Sequence, residues 1–402
     1  MKDERRGALK AFYPLDLFGY ANQLTDGEFA VLKRLRTFLE TKLQPELADL
    51  WERAEFPYHL LTDFVATGVM DDPVLFEETA SPYKTREIFT FFRDFELAKV
   101  DPSFTTFIGV HGGLYLNTLL ALADEEQLER WAKPAMTMAT QGCFALTEPE
   151  HGSDISGGLA TTAEKIDDEW VINGEKRWIG GANTADEIAV FARDLTDGQV
   201  KAFIVPRTAP GITIEVIPQK IALRILQNTN ITFDNVVIDE DRLLTKSRSF
   251  KDISKILGVT RSEVGHMATG AAAGALEAAQ RYVKSREQFG KPLGSFQLVQ
   301  AKLATMQANV TACMSYSVGI AQIQEAGIYE DVNSSLTKMH NALRLRETVA
   351  LAREVCGGNG IVLENDVARF FADAEGIYSY EGTHEMNALI VGRKLTGYPA
   401  FV

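Results

Sequence analysis

Between residues 142 and 244 the sequence changes character, and that change limits the folds open to the whole chain. Short runs of β-formers follow one another there: Trp170-Val171-Ile172, Ile188 to Ala192, Ala202 to Val205, Ile212 to Ile217 and Ile231 to Ile238. Asp197-Gly198 and Pro210-Gly211 cut them with residues that suit tight turns. Asn173-Gly174 has the form of a hairpin turn between Trp170–Ile172 and a second strand from Glu175 to Ile179. The text on both sides is helical. The pattern therefore describes a compact all-β domain inserted between helical regions.

The first helical block runs from about Thr25 to about Ala139. Thr25 with Glu28 three residues later forms a capping box, and Phe29, Leu32, Leu35, Leu39 and Leu43 recur behind it at helical spacing. Asp124 suits the N-cap of another helix through Leu128 and Trp131. Between them Pro102 to Ala123 is apolar and poor in charge, as expected of a helix buried on most sides. The second block starts at about Ile253. Val264 to Ser285 carries Gly265, Gly270, Ala271, Ala272, Ala273, Gly274 and Ala275, small enough for another helix, or a ligand, to approach the backbone. Phe289-Gly290-Lys291-Pro292 ends that helix. Long helices follow from Ser295 to about Ala326 and from Asn333 to about Val355. Cys356-Gly357-Gly358-Asn359-Gly360 then breaks the chain sharply before a last helical region.

Charge and motif content exclude several functions. A net charge of −14 leaves no basic footprint for nucleic acid, so a polyanionic ligand needs a local basic patch. No apolar run reaches the eighteen or so residues of a membrane span, and no signal-like core follows Met1-Lys2-Asp3-Glu4-Arg5-Arg6. Cys143, Cys313 and Cys356 are scattered, without metal or disulfide spacing, which points to a reducing cytoplasm. The six histidines form no metal set. There is no Gly-x-Gly-x-x-Gly behind a strand, no phosphate-loop Gly-Lys-Ser/Thr, no His-Glu-x-x-His and no Gly-x-Ser-x-Gly elbow.

Five stretches could carry chemistry. In Ile377-Tyr378-Ser379-Tyr380-Glu381-Gly382-Thr383 a carboxylate stands between two aromatics and a glycine. Lining a cleft, Glu381 would be desolvated toward a useful general base; otherwise it is a half-exposed helix start. Phe144 to Asp154 is a loop of hydroxyls, glycine and backbone amides, suited to a polar heterocycle or phosphate, or else an ordinary capped turn. Lys176-Arg177-Trp178-Ile179-Gly180 ends a strand with an indole that could cover a flat cofactor or fill the core. Arg286-Glu287-Gln288-Phe289-Gly290 with Gln297 offers a guanidinium for a pyrophosphate, or an exposed helix end. Gly357-Gly358-Asn359-Gly360 could meet phosphates or simply cap a helix.

Together these stretches resemble the acyl-CoA dehydrogenase and oxidase family of flavoproteins. The likeness runs from roughly Phe29 to Phe401, in the family's order of helical, β and helical domains. It rests on Leu146-Thr147-Glu148-Pro149 with Gly152-Ser153-Asp154, on Arg286 to Gly290, on Gly357 to Gly360 and on Tyr380 to Thr383. Lys220 to Asn228 carries a finer likeness to the short-chain acyl-CoA oxidase and glutaryl-CoA dehydrogenase branch. The resemblance implies an α+β fold: an N-terminal helical domain (1–140), a middle β-barrel or sandwich domain (141–250) and a C-terminal four-helix bundle (251–402). It implies FAD as cofactor and an acyl-CoA substrate. Glu381 would be the base that removes the α-proton. Phe144, Leu146, Thr147, Ser153, Trp178, Ile179, Gly180 and Thr383 would contact FAD. Arg286, Gln297, Gly357 and Gly358 would reach FAD bound mainly by a neighbouring subunit, so a homo-oligomer is expected, a tetramer or a dimer. Ser153, Arg261, Gly382 and Phe401 would lie on the acyl-CoA path. The electron acceptor would be an electron-transfer flavoprotein, or oxygen as in the oxidases; a non-catalytic acyl-CoA binder is the reading from another class.

Two departures bear on substrate and place. Where glutaryl-CoA dehydrogenases use an arginine for the distal carboxylate, this chain has Thr105, which argues against a glutaryl group. The chain closes on Ala400-Phe401-Val402, with no peroxisomal targeting tripeptide, which favours a cytoplasmic enzyme. Ser262-Glu263, just after Arg261, is more polar than this branch leads one to expect.

Overall fold

The computed structural model describes residues 2–79 and 81–399. The chain divides into two compact units: Met1–Thr105 with Ile221–Ile225 and Arg261–Val402, and Thr106–Lys220 with Leu226–Thr260.

The first unit is helical. Helix α1 (Asp26–Phe38) begins at the expected capping box. The Thr25 hydroxyl accepts from Glu28 N at 3.1 Å, and the Glu28 carboxylate accepts from Thr25 N at 2.7 Å. Two donors that a helix start leaves unpaired are thereby satisfied. Phe29, Leu32 and Leu35 are buried, and Leu39 and Leu43 continue the stripe. Helix α2 (Glu87–Val100) takes Phe89, Phe91, Phe92 and Phe95 into the core. Then come α3 (Phe250–Ser285), which belongs to this unit from Arg261 on, α4 (Gln297–Glu325), α5 (Asp331–Val355), α6 (Val367–Ser379) and α7 (His384–Thr396). The small residues of α3 serve close packing: a Cβ on Gly270 would fall 2.5 Å from the Phe95 carbonyl oxygen. Phe289 and Gly290, both at positive φ, turn a short hairpin directly after α3.

Segment Ile221–Ile225 is fastened to this unit by buried charge. Leu223 N donates to Asp373 at 2.6 Å, and Asp373 also accepts from Ser103 Oγ at 3.2 Å. Arg369 and Asp101 pair beside them at 2.7 Å with almost no exposure. Burial, then the neighbouring Asp101, raises the Asp373 pKa to about 7.

The second unit is built on one mixed sheet of seven strands: β1 (Gly142–Ala145), β2 (Thr162–Ile166), β3 (Glu169–Gly180), β4 (Glu187–Asp194), β5 (Val200–Pro206), β6 (Ile212–Val216) and β7 (Asn228–Asp239). Their order is β1-β4-β2-β3-β7-β6, with β5 also paired to β4. Strand β4 thus meets β1 and β2 in parallel and β5 antiparallel. Its core gathers Ile172, Ile179, Ile188, Val190, Phe203, Val205, Ile231 and Phe233. The turns at Asp197-Gly198 and Pro210-Gly211 fall where the sequence places them, with φ of +72° and +90° at the glycines. Pro102 to Leu122 is helical throughout, with a wider π-type stretch at Gly109–Leu116. Asp124 caps the next helix by accepting from Gln127 N at 2.9 Å.

Asn173-Gly174 is not the hairpin expected. Strand β3 runs through it unbroken, and its register against β7 slips between Ile172 and Gly174. The Asn173 side chain accepts from Asn235 N at 2.7 Å, and Gly174 (φ +142°) passes so near Thr161 that a Cβ would lie 2.7 Å from its Cα. The dipeptide makes a β-bulge, which draws on the same glycine freedom as a turn. The hairpin itself joins β2 to β3 through Asp167 and Asp168.

Candidate active site

Helix α6 ends at Ser379, and Tyr380 leaves it in extended backbone (φ −80°, ψ 172°). Glu381 and Gly382 then both take left-handed conformations, at φ +54° and +81°. For a residue with a side chain that conformation costs about 1–2 kcal/mol and persists only where surrounding contacts enforce it. The contacts here are specific. Lys338 Nζ, on α5, donates to the carbonyl oxygens of Tyr378 and Gly382, each at 2.8 Å. Asn387 Nδ2, on α7, donates to Gly382 O at 2.9 Å and Thr383 O at 3.0 Å. Thr383 caps α7, its hydroxyl accepting from Met386 N at 3.3 Å. The segment thus presents a half-buried carboxylate on a braced, strained turn.

Arg261 stands next to this turn. A Cβ on Gly382 would lie 3.8 Å from Arg261 Nε and 3.2 Å from Asn387 Nδ2, so the glycine leaves room a side chain would close. Arg261 pairs with Asp331 through Nη1. Its Nε, His384 Nδ1 and Asn387 Oδ1 are buried without a hydrogen-bond partner among the described residues. Buried polar atoms left so are costly, about 1–3 kcal/mol each, and their gathering near one carboxylate suits a polar ligand.

Lys338 and Glu263 both interact electrostatically with Glu381. Burial lowers the Lys338 pKa to about 8, with Glu381 acting in the opposite direction. Glu263, two residues beyond Arg261, is pushed up to about 8 by burial and by Asp94, with Glu381 adding to the push. Thr105 is buried and donates its hydroxyl to Asp101 O at 2.7 Å, so no cation stands at that position.

The second unit holds a separate group. Leu146 and Thr147 follow β1, and Arg177 N donates to Thr147 O at 2.8 Å, which brings this loop alongside the end of β3. Trp178 sits there at φ +65° with half its surface open. Ile179 and Gly180 are buried beside it. Phe144 also turns inward, its ring 4.6 Å from that of Phe191. Ser153 lies in an exposed loop.

Arg286, Gln297, Gly357 and Gly358 form a third, fully exposed group. Asn359 Nδ2 donates to Tyr282 OH at 2.9 Å, which ties the glycine turn to the end of α3. Arg261 and Arg286 are separated by most of α3, roughly 36 Å at 1.5 Å per residue. One copy of the chain therefore does not bring this group to Glu381. Phe401 lies outside the described residues. Sequence reasoning passed over Lys338, Asn387 and the partners of Glu263, whose contacts come from helices distant in sequence. Among the described residues no cluster suits a metal ion, and no helix is long and apolar enough to cross a membrane.

Comparison with known proteins gives a consistent result. Three family models match in chain order: the acyl-CoA dehydrogenase N-terminal domain over residues 25–139, the middle domain over 143–236 and the C-terminal domain over 250–396. Bovine mitochondrial short-chain specific acyl-CoA dehydrogenase is 32% identical over 308 residues, 75% of this chain and 74% of that protein. The structure of a glutaryl-CoA dehydrogenase from Mycobacterium smegmatis in complex with FADH2 is similar with a TM-score of 0.89 and 32% identity, covering 97% of this chain and 99% of that one. Butyryl-CoA dehydrogenase from Megasphaera elsdenii gives 0.87 and 29%, covering 93% and 99%.

Proposed function

The chain belongs to the acyl-CoA dehydrogenase family, and from that premise we propose that it desaturates a short-chain acyl-CoA to the trans-2-enoyl-CoA. The family's members are oxidoreductases acting on CH–CH groups, and they use FAD. The observation that carries the reading is the braced turn: a half-buried carboxylate, Glu381, on left-handed backbone beside Gly382 and Arg261.

The residues present fit the cofactor. Trp178 offers a half-open indole face next to the loop of Leu146 and Thr147, a surface that a flat, polar heterocycle would cover. Those three residues, with Gly180, would hold FAD, which when bound supplies the acceptor for the hydride leaving the β-carbon. The Glu381 carboxylate takes the proton from the α-carbon as that C–H bond breaks. A thioester α-proton is too weakly acidic for a carboxylate unless charge on the thioester oxygen is stabilised. The backbone N–H of Glu381 is assigned that task, with Gly382 leaving space for the thioester. Arg261 would line the path of the CoA arm. Thr105, which brings no cation, favours a plain short acyl group over a dicarboxylic one.

Exposed apolar side chains support a homo-oligomer, a tetramer or a dimer. Phe289 is 93% exposed, Leu298 80% and Ile361 71%, all close in sequence to Arg286, Gln297 and Gly357–Gly358. A second copy covering them would put those polar groups beside its own FAD. We retain the division into 1–140, 141–250 and 251–402 as functional domains, with an electron-transfer flavoprotein as acceptor.

Anaerobic titration of the FAD-loaded protein with butyryl-CoA tests the reading. Flavin absorbance should bleach and stay bleached when air is admitted. Rapid return of colour with peroxide would reassign the acceptor to oxygen. Absence of bleaching with butyryl-CoA and its short-chain homologues would overturn the proposed activity.

A further inference from the structure

Lys338 is wholly buried in the N-terminal third of α5. Its ammonium donates to two backbone carbonyls, and those carbonyls bracket Glu381: Tyr378 O lies three residues before it and Gly382 O one residue after, each 2.8 Å from Nζ. Tyr378 O belongs to the last turn of α6, where carbonyls lack helical partners. Gly382 O belongs to the left-handed turn. One cation therefore closes both ends of the short arc that carries Glu381. Burying an ammonium is expensive, and two neutral carbonyls repay little of it without a counter-charge.

That counter-charge is close at hand. The groups that act on Lys338 are Glu381 on the turn, Glu385 on α7 and, opposing them, Arg261 on α3. Glu381 is in turn felt by Glu263 on α3, which also faces Asp94, Arg93 and Glu87 of α2. Asn387 Nδ2 binds the same Gly382 carbonyl without adding charge.

We propose that Lys338 is the positioning residue of this site: its ammonium fixes the left-handed backbone from which the Glu381 carboxylate works. The proposal rests on the reading of Glu381 as the base. The hydrogen bonds of the Lys338 ammonium go to backbone carbonyls of the turn, so it acts through Glu381 and not on the substrate. Burial brings its own loss of a proton down to about pH 8, so the ammonium is present at neutral pH and disappears in mild alkali.

The test is anaerobic stopped-flow reduction of the FAD-loaded enzyme by butyryl-CoA from pH 6 to 10, with wild type, Lys338→Met, Asn387→Ala and Glu381→Gln. Lys338→Met keeps the length of the side chain and removes charge and donors. Its reduction rate should fall about 10²-fold or more, the scale of a misplaced general base. Butyryl-CoA affinity should stay within about three-fold, because Lys338 makes no substrate contact. The acid limb of its pH profile should move upward, since a carboxylate without a neighbouring cation holds its proton more tightly. Asn387→Ala should slow the reaction less and leave the limb in place. A Lys338→Met profile with wild-type rate and limb would overturn the proposal. Should that variant fail to hold FAD, wild type and Glu263→Gln together decide: in both the rate should drop as pH rises past about 8, and a flat profile from pH 7 to 10, or a drop that Glu263→Gln abolishes, would contradict the role. Undiminished reduction in Glu381→Gln would remove the base itself and the proposal with it.

Discussion

Glu148 and Lys176 form an ion pair at 2.9 Å with side chains 3% and 0% exposed. The Glu148 carboxylate also accepts from Ala160 N at 2.6 Å and Thr161 N at 2.9 Å, while Lys176 donates to Leu146 O at 3.1 Å. Three chain segments are tied at one buried point: the loop after β1, the approach to β2 and β3. The loop so fastened carries Leu146 and Thr147, the residues assigned to the flavin.

Lys176→Met would leave a buried carboxylate without its counter-ion. Loss of one partner of a buried pair costs about 3–5 kcal/mol, whereas replacing both partners with apolar groups is far milder. Thermal unfolding should show a large drop for Lys176→Met and a smaller one for Lys176→Met combined with Glu148→Gln. Equal drops would mean that the charges are not coupled as the geometry indicates.

Glu263 sets a pH dependence of stability. Its folded pKa, about 8, lies above the ordinary carboxylate value because the group is buried beside Asp94. The folded protein therefore binds a proton that the unfolded chain releases near pH 4.5. This contribution is fully present below pH 4.5 and is lost as pH rises through 8. Melting temperature should decline between pH 6 and 9 in wild type, and Glu263→Gln, which cannot ionise, should flatten that decline. Parallel slopes in the two proteins would show that Glu263 does not titrate in this range.

Trp178 offers a measurement of cofactor binding that needs no turnover. An exposed indole at positive φ is a poor arrangement for stability alone, so Trp178→Ala should leave the melting temperature of the FAD-free protein nearly unchanged. Retention of FAD should weaken by about 5- to 10-fold, the worth of one aromatic stacking contact. Equilibrium dialysis against free FAD reads this directly, and unaltered affinity would remove Trp178 from the site.

What the sequence revealed and what it concealed divide along a physical line. The Thr25–Glu28 and Asp124–Gln127 caps were legible because both partners lie within one turn of helix. The turns at Gly198 and Gly211 were legible for the same reason. Asn173-Gly174 misled because a bulge and a hairpin turn both use glycine's freedom, and only the pairing of β3 with β7 distinguishes them. Glu381 stood out through its neighbours in sequence. Lys338 did not, because it reaches Gly382 across 44 residues and a lysine between Thr337 and Met339 on a helix carries no local signal of burial. Phe144 and Ile179 read as ligand contacts in one dimension, and the fold buries both, Phe144 against Phe191 and Ile179 in the core of the sheet; the sequence alone did not fix which face each would take.

The central claim is that Glu381 is the base. Its most direct test compares wild type with Glu381→Gln, both loaded with FAD, in single-turnover anaerobic mixing with butyryl-CoA at neutral pH. The amide keeps the size of the side chain and removes its capacity to take a proton. Flavin reduction should slow by about 10³-fold or more, with FAD retained and butyryl-CoA still bound. Reduction at the wild-type rate would contradict the assignment.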